Sequence, residues 1–270
     1  MNKSQIRELL GDLKAAVRLG HPEAVEIALD DLRSLPVVAA NDRLSEGFFD
    51  QVIRPAGVTL ARLPTNQLLP LLEDPLAALR AVGAVALAHD YLTGKDVDRR
   101  ALLAPAKDPR PEVRTALGGT LREVGEAYPE HLLHLLDGWL RDSSPKVRST
   151  ALTALPALTQ SRGEGIIALI EPLNDDESSE VRAALVDALQ AIAQGDLAES
   201  VLGLLADWGA ESRPNVWVIT RALSGSWAAS HPKAVEAILR TLHSKVRKTK
   251  EITNALRALE RHGANIEIDS

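Results

Sequence analysis

Between Pro129 and Leu158 the chain writes two amphipathic segments in succession, "PEHLLHLLDGWLRD" and "SSPKVRSTALTALPAL". Apolar residues recur three and four apart in both, and in the second Val147, Ala151, Leu152 and Leu155 fall on one face, so each segment predicts a helix that buries one side. A polar turn carrying Asp142 separates them. The same pair returns as "GEGIIALIEPLNDD" followed by "DESSEVRAALVDAL". After each Asp the chain reads as a helix start: a short polar residue to cap, often Pro in the first turn, and Glu early. A single hairpin of this kind cannot bury its apolar face and must stack on its neighbours.

A register mark runs through these pairs. Leu79-Arg80, Val113-Arg114, Val147-Arg148 and Val181-Arg182 follow one another in steps of 34, and six residues before each arginine stands Asp74, Asp108, Asp142 or Asp176. At the next step the mark slips by one residue, and Glu211 and Trp217 take the places of the Asp and the Arg. Val246-Arg247 restores the pair thirty residues later, with Thr241 where a carboxylate is due. Upstream of Glu73, "SQIRELLGDLKAAVRL", "HPEAVEIALDDLRSL" and "EGFFDQVIRPAGVTLARL" keep helical periodicity without the motif. They read as degenerate repeats or as a cap over the apolar end of the stack.

Two helices joined by a turn carrying Asp, with Val-Arg opening the second, resemble the HEAT repeat in the short form found in many bacterial repeat proteins. The tetratricopeptide repeat shares the period but needs aromatic residues at regular positions, and only 3% of this chain is aromatic. The resemblance covers Glu73 to about Gln194. It implies a ladder of hydrogen bonds between successive turns, built from Asp74, Asp108, Asp142 and Asp176 with Arg80, Arg114, Arg148 and Arg182. A guanidinium fork suits that role because it can bond two acceptors at once. These arginines are therefore read as structural. The expected fold is all-α, a right-handed α-solenoid of stacked helical hairpins with a period of about 34. It is expected to form one domain over 1–270, with degenerate repeats or a cap at 1–72, regular repeats at 73–194 and divergent, locally basic repeats at 195–270.

Composition narrows the function. Thirty-one basic against 37 acidic residues give a net charge of -6, which disfavours coating of nucleic acid or membrane by the whole surface. The chain has no Cys, so disulfides, thiolate nucleophiles and Cys-based zinc sites are excluded, and a cytoplasmic location is the expectation. No run of eighteen apolar residues occurs, and no membrane association is expected.

Candidate chemistry is sparse. His131 and His134 lie three apart beside Glu130, without a third ligand and in an order other than that of the HExxH helix. The acidic run at Asp175, Asp176, Glu177 and Glu180 suits a helix N-terminus. "LTGKD" lacks the earlier Gly and the hydroxyl residue of a phosphate loop, and "SGS" at Ser224–Ser226 is no nucleophile elbow. No catalytic, cofactor-binding or metal-ligating residue is assigned, and no cofactor is expected.

The C-terminal stretch is locally cationic, with Lys245, Arg247, Lys248 and Lys250 close together and Trp208, Trp217 and Trp227 just before it. Buried tryptophans beside a solvated basic cap are the plainer reading. The function expected is a noncatalytic scaffold or adaptor for an unidentified protein or peptide partner. DNA is the alternative partner, since bases stack on aromatic rings and phosphates seek Lys and Arg. "NVWVITRALSGSWAASHPKAVEAILRTLHSKVRK" is similar to part of the alkylpurine DNA glycosylases built from HEAT-like repeats. That resemblance implies a DNA-binding or alkylated-DNA-repair protein, with Arg148, Arg182 and Trp217 near the damaged nucleotide. Trp217, Lys245, Arg247, Lys248 and Lys250 are the candidate binding residues under either reading.

Overall fold

Residues 3–246 and 250–264 are described by a computed structural model, and among them all regular structure is helical. The fold is an all-α solenoid type of stacked helical hairpins. Contacts divide the chain into two units, Met1–Trp139 and Leu140–Ser270, and the division falls within the stretch of regular repeats. Among the described residues no helix is long and apolar enough to cross a membrane.

In the first unit, α1 (Lys3–Leu19) and α2 (Pro22–Ser34) pack together through Leu13, Ala16 and Val17 on one side and Val25, Leu29 and Leu32 on the other. Helices α3 (Arg54–Leu60), α4 (Ala77–Leu92) and α5 (Pro111–Gly125) then lie side by side in chain order, and α6 (Pro129–Trp139) packs on α4 and α5. The sequence of α4, "AALRAVGAVALAHDYL", is apolar nearly all round, which suits a helix covered on most sides. Its approach to α3 depends on Gly57, where an added Cβ would lie 2.5 Å from the side chain of Val85 and 2.9 Å from the carbonyl oxygen of Val82.

The second unit contains α7 (Pro145–Ala154), α8 (Gly165–Ile170), α9 (Ser179–Ala193), α10 (Ala198–Ala210), α11 (Val216–Ala222), α12 (Pro232–Lys245) and α13 (Lys250–Arg261). Contacts run α7 to α9 to α11 to α13 in one row and α8 to α10 to α12 in another, which is the stacking of successive hairpins. Val181, Leu185 and Leu189 of α9 and Val218, Ile219 and Ala222 of α11 are buried between them.

Helix starts depart from the expected capping. Of α4, α5, α7 and α9, only α9 is capped by the side chain at its N-cap, Ser178, which accepts from the amide of Val181. The repeated aspartates do the corresponding work two residues earlier. Oδ1 of Asp74, Asp108, Asp142 and Asp176 accepts the backbone N–H of Leu76, Arg110, Ser144 and Ser178 at 2.8 to 2.9 Å. An aspartate that bonds the amide two residues on makes an Asx turn, and this orients the chain before the helix begins.

Candidate binding groove

Two arginines of the register mark, Arg80 and Arg148, reach from one turn to the next. Arg80 donates from Nε and Nη2 to the two carboxylate oxygens of Asp108 at 2.6 and 3.2 Å, and from Nη1 to the carbonyl of Asp74 at 2.8 Å. Arg148 repeats the geometry on Asp176 at 2.7 and 3.1 Å, with Nη1 on the carbonyl of Asp142 at 2.7 Å. Nη1 of Arg114 donates to the carbonyl of Asp108 at 2.7 Å. A 34-residue period and a six-residue lead place each of the two paired aspartates 28 residues beyond its arginine.

One rung has no counterpart in the sequence motif. Arg33, at the end of α2, donates to Oδ2 of Asp74 at 3.1 and 3.2 Å across 41 residues. At the other end, Nε of Arg182 is buried without a hydrogen-bond partner among the described residues. Glu211, which stands where the next aspartate is due, accepts instead from Nδ2 of Asn174 at 3.0 Å.

Beyond Arg182 the row of α9, α11 and α13 opens into a groove of about 1080 Å³. Trp217 and Arg221 reach it from one face of α11, four residues apart. From α13, Lys250, Asn254, Arg257 and Arg261 line it at three- and four-residue spacing, with Glu251 next to Lys250. Gln190 of α9 also lines the groove, and its Nε2 donates to the carbonyl of Arg221 at 2.8 Å, holding the end of α11. Glu260 also lines the groove, so four cations and two carboxylates face one space in a chain of net charge -6. Oε2 of Glu251 is buried and accepts no hydrogen bond from the described residues.

The structure separates the candidate residues. Trp217 is 41% exposed, whereas Trp139, Trp208 and Trp227 are buried. Lys250 joins Trp217 in the groove, but Lys245 does not. Its Nζ donates to the carbonyls of Ala210 and Glu211 at the end of α10, where a cation meets the negative end of the helix dipole. Arg247 and Lys248 lie outside the described residues. Arg148 and Arg182 do not line the groove.

Sequence reasoning did not single out Arg221, Arg257 and Arg261 as binding residues. Their signal is the spacing Trp217/Arg221 and Arg257/Arg261, which puts each pair on one helix face. The two histidines are engaged separately: Nδ1 of His131 lies 2.7 Å from the carbonyl of Leu92, and Nε2 of His134 lies 3.4 Å from Nη1 of Arg99.

Residues 132–162 match the family model of the HEAT repeat. That stretch contains Asp142, Val147 and Arg148, so the chain is an all-α helical-repeat protein carrying a HEAT repeat. No curated protein matches the sequence. Among solved structures, the chain is similar to smu.31 from Streptococcus mutans UA159, at 19% identity over 80% of this chain and 97% of that one, with a TM-score of 0.48. It is also similar to an engineered protein, at 19% identity over 90% of this chain and 71% of that one, with a TM-score of 0.38. Likeness at these values bears on neither activity nor partner.

Proposed function

We propose that the protein is a noncatalytic interaction scaffold whose recognition surface is the groove between α11 and α13. The observation that carries this reading is Trp217, the exposed tryptophan, lining with Arg221 a groove of about 1080 Å³. Tryptophan and arginine are the residues that most often dominate binding energy at protein interfaces. Source-cell proteins retained by the wild-type chain and lost on Trp217→Ala/Arg221→Glu, once purified and titrated back, should bind saturably to the wild type. Absence of any saturable protein partner overturns the scaffold.

Cations beside an exposed aromatic ring also support DNA binding as a second reading. Anisotropy of labelled duplexes, intact and alkylated, distinguishes it: affinity that falls steeply with salt and with Lys250→Ala favours DNA, and no binding at low salt removes it. The scaffold reading includes one continuous array over 1–270 in the cytoplasm. It is supported by the unbroken 34-residue step from Arg114 to Arg148 and by the absence of cysteine. Limited proteolysis that releases stable pieces cut near Trp139 would count against the continuous array.

A further inference from the structure

Granting that the groove is the recognition surface, we infer that its occupant is a short acidic segment of a partner protein in extended conformation. Three observations converge on this.

The first is charge. Arg221, Lys250, Arg257 and Arg261 line one space, and of these Arg221, Lys250, Arg257 and Arg261 are all exposed. The chain as a whole carries a net charge of -6, so the groove is a cationic site in an acidic chain. Fields are screened within roughly 8 to 10 Å at physiological salt. A segment carrying two or three carboxylates therefore feels the local cations and little of the remaining surface. A duplex carries a phosphate charge about every 1.7 Å along its axis and extends well past the groove, so most of its phosphates lie beyond the reach of these four cations.

The second is the hydrogen-bonding complement. Glu251 and Glu260 stand among the cations and supply acceptors to the same space. A peptide backbone brings an N–H donor and a C=O acceptor at every residue other than proline. A phosphodiester backbone brings acceptors alone, and these would face the two carboxylates.

The third is size. From Lys250 to Arg261 the wall on α13 runs for eleven residue steps, roughly 16 Å at the helical rise. An extended chain advances about 3.3 Å per residue, so about five residues span the wall. Trp217 on the facing helix provides one aromatic platform for an apolar side chain within that span.

The test is a displayed library of random dodecapeptides selected on the full chain and counter-selected on Arg257→Glu/Arg261→Glu. Both arginines are exposed, and an unchanged helical signal and melting temperature would verify that the variant folds. Selected peptides should carry at least two Asp or Glu within five consecutive residues. A synthetic copy should perturb Trp217 fluorescence, bind at least tenfold more weakly to the double variant and weaken on Trp217→Ala. Enrichment of neutral or basic peptides, or binding indifferent to the double variant, overturns the acidic occupant and leaves the scaffold standing. Failure of any peptide to enrich overturns both. A twelve-residue oligothymidylate that binds more tightly than every selected peptide and is lost on the same substitutions assigns the groove to nucleic acid instead.

Discussion

Replacing Asp176 with alanine measures what one rung contributes to the array. Asp176 accepts from Nε and Nη2 of Arg148 and from the amide of Ser178. Its side chain is 6% exposed and that of Arg148 is 18% exposed. Loss of a side-chain acceptor at a helix start costs about 1 kcal/mol. Removing one partner of a buried pair costs about 3 to 5 kcal/mol. Arg148 keeps the carbonyls of Asp142 and Ser143 and some contact with water, which reduces that share to about 2 kcal/mol. Asp176→Ala should therefore destabilise by about 3 kcal/mol, and Arg148→Ala by about 2 kcal/mol. In the double variant the two losses overlap, giving a coupling of about 1 to 2 kcal/mol. The assay is urea unfolding of the four chains at matched slopes. The exposed pair Arg240–Glu236 serves as the control and should couple by about 0.3 to 0.5 kcal/mol. A coupling for Arg148–Asp176 no larger than the control would refute the claim that the rung locks neighbouring repeats.

Three further outcomes are expected. Gly57→Ala should destabilise by about 1 to 3 kcal/mol by forcing α3 and α4 apart, read as a lower urea midpoint, and a neutral result would refute the close approach at Val85. Asp90 of α4 is fully buried 2.9 Å from Nζ of Lys95, and burial raises its carboxyl above the ordinary carboxylate range while Lys95 pulls it back. The native state therefore holds that proton more tightly than the unfolded state does. The associated stability is fully present below the unfolded carboxylate value and is lost as pH rises through the raised one. Melting temperatures of wild type and Asp90→Asn, followed from pH 7 to 4, should show the wild type gaining on the variant as pH falls, and a constant gap would refute this. Trp217→Phe should remove most of the acrylamide-quenchable tryptophan fluorescence, because the other three tryptophans are buried. Quenching that survives the substitution would contradict the burial pattern.

Much of the architecture was legible because the motif repeats at one period. Where two residue types recur together every 34 positions, stacking brings an arginine of one turn to the aspartate of the next, as at Arg80–Asp108 and Arg148–Asp176. The rung at Arg33 was not legible. Its arginine ends a helix instead of opening one, and the segment from Pro36 to Glu73, with its short helices, breaks the period before Asp74. Capping departs from the sequence expectation for a local reason: the aspartate two residues before the N-cap serves the N-cap residue's own amide, so Leu76 and Arg110 can occupy positions where a polar side chain is usual.

Composition grouped three tryptophans with a basic run, and packing separated them. Trp208 and Trp227 are buried, while α11 buries Val218, Ile219 and Ala222 and leaves Trp217 and Arg221 on its open face. Lys245, counted with the same basic run, bonds carbonyls at the end of α10.

The sequence by itself determined the hairpins, their period and the residue types that tie successive turns, because these follow from helical spacing and from a motif repeated along the chain. Only the tertiary structure decided which aromatic and cationic side chains share a groove. That space is assembled from Gln190, Trp217 and Arg261 on three different helices, and the packing of those helices is a sum of many contacts that local periodicity does not encode.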